Sequence, residues 1–227
     1  MARLVRILSI ALITAGLVLF AEVGVTLLYK EPLSSIHASI EQSRAADRLS
    51  EIEATYPERA ERRALGRIRN RRARIATLAR RFGARAQPGE PIGHLRAPAM
   101  DGLDVIVVQG TDTASLEKGP GHFPDTSFPG ERGTVGIAGH RTTYGAPFRY
   151  ADSMERGDRI VLEMPYAKFV YRVQKTAIVD PRNVGVVRNV GYERLVLTSC
   201  HPLYSAAQRL IVFARMVGQR IAPRARS

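Results

Sequence analysis

Read for the rhythm of apolar and polar positions, the chain divides into three textures. A short positive tip, with Arg3 and Arg6, leads into an apolar run from Ile7 to Ala21 that Glu22 interrupts and Val23 to Tyr29 resumes. About 22 residues at 1.5 Å each cross a hydrocarbon layer of roughly 30 Å, so the run predicts a membrane-spanning helix. A cleavable signal would have a shorter apolar core and a small-x-small site, and no A-x-A pattern occurs near Ala21 to Leu28. Arg3 and Arg6 outweigh Lys30 at the far end, which places the N-terminus in the cytoplasm and residues 30–227 outside.

The second texture is helical. Ser34 or Ser35 can cap a helix running to about Thr55, with Ile36, Ile40, Leu49 and Ile52 along it and Pro57 beyond. A further helix is expected from about Glu58 to Phe82, where Leu65, Ile68, Ile75, Leu78 and Phe82 share one stripe. From Glu90 the period shortens. β-like runs recur at Ile92–Ala97, Val105–Gln109, Thr134–Ala138, Arg159–Met164, Phe169–Val179, Arg194–Thr198 and Leu210–Met216, and only Thr113 to Lys118 suggests a short helix. Gly and Pro punctuate them at Asp101-Gly102, Gly119-Pro120-Gly121, Pro129-Gly130 and Gly157-Asp158. Seven or eight short strands so spaced predict a mainly β fold, a closed eight-stranded barrel with short helices. The expected divisions are an anchor at 1–30, a helical arginine-rich stalk at 31–89, the barrel at 90–220 and a basic tail at 221–227.

Charge changes this picture in one segment. The net charge is +13 over 227 residues, yet residues 90–227 hold 18 basic against 13 acidic side chains. Between Tyr56 and Gln87, 11 arginines face only Glu58 and Glu61. Such a run invites a nucleic-acid reading, which an extracytoplasmic location argues against. A solvated stalk touching anionic lipid or cell-wall polymer fits better, and its apolar stripe packing back on the barrel stays open.

Candidate chemistry centres on Cys200, the single cysteine. A lone thiol is ordinarily a small buried hydrophobe, but outside the cytoplasm it is an oxidation risk without a disulfide partner, which suggests that its reactivity is used. The strand pattern through Leu195 and Leu197 carries the chain to Cys200 and stops at Pro202, and Arg209 opens the next strand, Leu210 to Phe213. Antiparallel pairing would return Arg209 beside Cys200, joining a nucleophile to an anion stabiliser. Five histidines compete as the base. His37 and His94 read as structural or solvated, and His201, adjacent to Cys200, points to the opposite face of its strand. His140 ends a strand after Gly139 and is favoured by placement; His122, read as part of a loop lining a cleft, is the second candidate.

Taken together, Gly139-His140-Arg141, Leu197-Thr198-Ser199-Cys200 and Arg209 resemble the sortases, cell-wall cysteine transpeptidases of Gram-positive bacteria. Gly110-Thr111, the LEKGPGH stretch from Leu116 to His122, Pro129-Gly130-Glu131, the HRTTYGAPF stretch from His140 to Phe148 and Gly157-Asp158 are most similar to class E sortases of actinobacteria. The likeness covers about residues 90–217. Three positions depart from the family pattern: Val196 stands where the first Thr of T-L-x-T-C is usual, Ser199 where Thr is usual before the cysteine, and Thr134 where Asn is common before the histidine strand. The resemblance implies a sortase-like barrel in which His140, Cys200 and Arg209 are catalytic and Thr198 lines the substrate groove, with Ser199, His122 and Tyr144 as further substrate contacts. It implies a C-terminal sorting signal on surface proteins or pilins as acyl donor, and an amine of a peptidoglycan precursor as acceptor. No cofactor or nucleic acid is expected, and no metal either, since no acidic cluster follows Asp180 where calcium-responsive relatives carry ligands. A pilin-polymerising enzyme with a lysine acceptor, and a non-catalytic wall-binding module on the same barrel, remain as alternatives.

Overall fold

The computed structural model describes residues 2–28 and 32–221. Tyr29 and Lys30, at the expected end of the anchor, lie outside the described residues, as does the tail from Ala222. The apolar N-terminal run forms helix α1 (Ala2–Leu28). Its stretch Arg3–Gly24 is long and apolar enough to cross a membrane and is not buried among the described residues, as either a membrane anchor or a signal segment would be.

Eight strands close into a barrel: β1 (Pro91–Ala97), β2 (Leu103–Gln109), β3 (Gly121–His122), β4 (Thr134–Ala138), β5 (Arg159–Met164), β6 (Ala167–Val179), β7 (Arg194–His201) and β8 (Gln208–Ile221), in the order β1-β2-β3-β4-β7-β8-β6-β5. Pairing is antiparallel except between β2 and β3 and between β4 and β7. The seven runs read from the pattern are seven of these strands. The eighth, β3, has only two residues, too few for any periodicity to mark. Inward positions of all sides meet in one core that includes Leu95, Ile137, Phe148, Ile160, Phe169, Tyr171 and Leu195. Closure leaves the barrel no free edge except where β3 is short.

The helices before the barrel fill that gap and cover one wall. Helix α2 (Pro32–Thr55) lies along β2, where Ala45 and Leu49 pack on Ile106. Gln42 acts as a surrogate strand: its Nε2 donates to the carbonyls of Ile106 and Lys118, and its Oε1 accepts from Ile106 N at 2.7 Å. Backbone groups that β3 is too short to pair are thereby satisfied.

The single helix expected from Glu58 to Phe82 is instead two, α3 (Arg59–Leu65) and α4 (Arg71–Gly83). Asn70 starts the second by accepting Ala73 N in an N-cap, an alternative to helix continuation that asparagine favours. The apolar stripe does pack back: Leu65, Ile75, Leu78, Ala79 and Phe82 belong to the same buried cluster as barrel residues Tyr166 and Phe169. Tyr56 ties the layers by donating its hydroxyl to Leu78 O at 2.8 Å. Most of the arginines stay on the outer face, with Arg74 half-buried. Helix α5 (Thr113–Lys118) lies where the pattern put it, N-capped by Asp112 through Ser115 N.

Candidate active site

Strands β4 and β7 run parallel and pair residue for residue from Thr134 with Arg194 to Ala138 with Thr198. Gly139 N continues the pairing by donating to Thr198 O at 3.0 Å. Carried two residues past the last pair, the same offset would set His140 level with Cys200, just beyond two strands that lie about 4.8 Å apart in any sheet. On the other side of β7, Cys200 is the direct register partner of Arg209 in β8. Imidazole, thiol and guanidinium therefore leave three adjacent strands at one end of the barrel, with Cys200 and His140 both half-buried.

Local sequence explains the delivery. At Gly139 a Cβ would stand 2.6 Å from the Phe148 ring, so only glycine lets that fully buried ring sit beneath the histidine. Phe148 N in turn donates to His140 O at 2.9 Å. The His140 ring lies 5.0 Å from that of Tyr144, and its buried Nε2 has no hydrogen-bond partner among the described residues. Burial lowers the pKa of this imidazole, and the negative charge of Glu117 opposes that shift. A buried polar atom left unpaired is costly and is commoner where chemistry is done.

Arg209 donates through Nη1 to the carbonyls of Ala206 and Gln208, bracing the connection between the two strands. Its Nε and Nη2 bond to no described residue. Arg141 is the residue whose part the sequence did not announce. Its side chain is 2% exposed, pairs with Asp152 at 2.6 Å, donates to His201 Nδ1 at 2.9 Å and to Arg149 O at 3.2 Å, and reaches Cys200 O at 3.5 Å. It clamps the end of β7 through the Cys200 carbonyl and the His201 ring.

Of the expected substrate contacts, Thr198 and Ser199 are buried on β7 beside Cys200, and Ser199 Oγ has no described partner. Tyr144 is half-buried and donates its hydroxyl to Glu117 Oε1 at 2.9 Å. The expectation for His122 needs correction. It sits in β3 and not in a cleft-lining loop, is 0% exposed, and is held by Gln109 through Nδ1 and by Ser127 O and Thr126 through Nε2. Burial pushes its pKa down to about 4, so it is neutral under ordinary conditions and offers no surface to a substrate. Nothing in the sequence marked Glu117, Ser34 or His37 as neighbours of Tyr144, the residue whose ring faces His140, because they converge from distant segments.

A thiol, an imidazole and a guanidinium on neighbouring strands of a closed barrel make up a candidate cysteine acyl-transfer site. The profile described as Sortase domain matches residues 95–217, just over half the chain, and this chain belongs to the sortase family. Sortases are in general cysteine transpeptidases. It is similar to sortase D of Bacillus subtilis, 34% identical over 135 residues that span 58% of this chain and 66% of that protein. To sortase SrtE1 of Streptomyces coelicolor it is 33% identical over 150 residues, 59% of this chain and 42% of the relative. The chain thus matches less than two thirds of the length of these relatives. The crystal structure of Streptomyces coelicolor sortase E1 with a tripeptide in the active site superposes with a TM-score of 0.56 at 32% identity, covering 60% of this chain and 93% of that one. The Clostridium perfringens sortase D5 transpeptidase gives 0.63 over 78% of this chain and 99% of that one, at 22% identity, a likeness of fold alone.

Proposed function

We propose that this protein is a membrane-anchored sortase that cleaves the Thr–Gly bond of a C-terminal LAxTG- or LPxTG-type sorting signal and passes the acyl group to an amine of a cell-wall precursor. The observation that supports the reading is the register of three adjacent strands, in which Cys200 pairs with Arg209 and the β4–β7 offset, carried on two residues, would bring His140 beside Cys200. The Cys200 thiolate attacks the threonine carbonyl carbon, and the carbonyl oxygen becomes anionic. Arg209, permanently charged and with Nε and Nη2 to offer, stabilises that oxygen. As the C–N bond breaks, the protonated His140 gives its proton to the departing glycine amine, leaving a thioacyl enzyme. The acceptor amine then attacks the same carbon, His140 takes its proton, and Cys200 leaves as thiolate. Acceptor and donor peptides reach the site from outside the membrane, where α1 holds residues from 32 onward.

Support for a peptide acyl donor comes from the tripeptide in the active site of the Streptomyces coelicolor relative. The test is to incubate the full chain in detergent with an LAxTG peptide and an amine, and to follow product and the thioacyl adduct by mass. The Cys200→Ala variant should give neither. Product formation that survives this substitution overturns the mechanism, and a lysine side chain that outcompetes precursor-like amines would move the reading to pilin polymerisation.

A further inference from the structure

The loop after His140 holds a conformation it would not keep unaided. Tyr144, Gly145 and Ala146 are consecutive left-handed residues, with φ of 48°, 71° and 47°. Non-glycine residues are disfavoured there, so neighbouring structure must hold the loop in place. The neighbour is α2. Ser34, in its first turn, accepts Tyr144 N at 3.0 Å. His37, one turn on, meets the Tyr144 ring edge-on with centroids 6.3 Å apart. Gly145 lies against Ala38, which a Cβ at 145 would meet at 3.4 Å. Gln42, on the same helix face, fixes Lys118 at the end of α5, next to Glu117. The helix therefore braces both sides of a short chain of contacts, from Glu117 Oε1 to the Tyr144 hydroxyl and from the Tyr144 ring to the His140 ring.

We propose that α2 is a working part of the catalytic apparatus: it holds Tyr144 between His140 and Glu117, which makes Tyr144 and Glu117 positioning residues for the imidazole. This rests on the reading above, that His140 carries the proton. The titratable and charged groups around the ring are Glu117 from α5, Tyr144 from its own loop and Cys200 level with it on β7, with His37 of α2 and Arg141 beside them. Burial favours the neutral imidazole, and the Glu117 carboxylate is the group that favours the proton. A helix next to the anchor thus sets the geometry and charge of the residue that gives the leaving amine its proton.

The test uses the full chain in detergent and two readouts. In the first, the ring resonances of the five histidines are titrated by NMR, with His140→Gln as the assignment control. Glu117→Gln should move the His140 midpoint to lower pH, and Ser34→Ala should alter the His140 ring shifts while leaving those of buried His122 in place. In the second, transfer kinetics are followed with peptide and amine. Tyr144→Ala should lower kcat by about 10- to 100-fold with KM for the donor within about twofold, the signature of a misplaced group and not of lost binding. Tyr144→Phe, which keeps the ring and loses the hydroxyl, should recover most of that rate with a shifted pH profile. An unmoved His140 midpoint in Glu117→Gln overturns the proposal. So does equal loss in Tyr144→Ala and Tyr144→Phe with an unchanged pH profile, which marks a merely structural tyrosine. If the unaltered protein transfers nothing, the sortase reading fails, and the titration still decides whether the brace exists.

Discussion

Phe82 lies in the arginine-rich segment before the barrel, yet it is 7% exposed and its ring meets those of Tyr56 at 5.2 Å, Tyr166 at 5.7 Å and Phe128 at 6.1 Å. Two of those partners come from the barrel half of the chain. Replacing Phe82 by alanine removes a buried ring and leaves a cavity among rigid aromatic neighbours that cannot collapse to fill it. Core Phe→Ala changes cost about 3–5 kcal/mol, and three tilted or edge-on ring contacts argue for the upper half of that range. Taking about 4 kcal/mol, and about 2–4 °C per kcal/mol for a chain of this size, Tm should fall by about 8–16 °C. The assay is unfolding of the full chain in detergent, followed by the reactivity of the Cys200 thiol, a probe on the barrel itself. Arg80→Ala, on the exposed face of the same helix, is the control and should stay within about 0.5 kcal/mol of the parent. If Phe82→Ala leaves the Cys200 transition within about 2 °C of the parent, helix α4 does not contribute to barrel stability and the shared core is an incorrect description.

Gly139→Ala should destabilise by about 1–3 kcal/mol and slow transfer, because the new methyl must displace the Phe148 ring under His140; Tm and kcat measured on one preparation test both effects together. His122 titrates near 6.5 when unfolded and at about 4 when folded, so its contribution to stability is complete above about pH 6.5 and is lost as pH falls toward 4. That loss amounts to about 3 kcal/mol, and His122→Gln should flatten the fall in urea midpoint between pH 6.5 and 4. Asp152→Asn leaves the buried Arg141 guanidinium without its counter-charge and should cost about 1–3 kcal/mol, with slower thioacyl formation as the end of β7 loosens; an unchanged urea midpoint would show that the pair is solvent-screened.

What could be read in advance follows the range of the interactions responsible. Strands β4, β5 and the helix Thr113–Lys118 match their predicted limits, since alternation and an Asp112 cap are local signals. The pairing of Cys200 with Arg209 was legible because a connection between two apolar strands leaves few topologies. The break between α3 and α4 was not, because Leu65, Ile68 and Ile75 keep helical spacing straight through it and the capping asparagine at 70 is embedded among arginines. Strand β3 fell below any periodic signal, and with it went the correct placement of His122. Arg141 lies in the quoted Gly139-His140-Arg141 stretch, but no local signal separates a buried arginine from a solvated one; its contacts with Asp152 and His201 set it apart.

The change of texture at Glu90 marks a change in secondary structure and not a boundary in packing. A two-residue strand cannot satisfy the backbone of β2, so the barrel needs an outside donor and acceptor, and Gln42 supplies both. A left-handed loop cannot hold the ring that faces His140, so it needs an outside acceptor for Tyr144 N, and Ser34 supplies it. Both residues lie on one face of α2, whose first turn stands just beyond the described end of the apolar helix. The helix that follows the apolar N-terminal helix is thus the one that completes the sheet and, on the proposal above, steadies the imidazole. Lengthening or swapping this helix as though it were a spacer should therefore change kcat before it changes reach, and a chain whose transfer rate is indifferent to the sequence of residues 34–49 would separate the anchor from the chemistry.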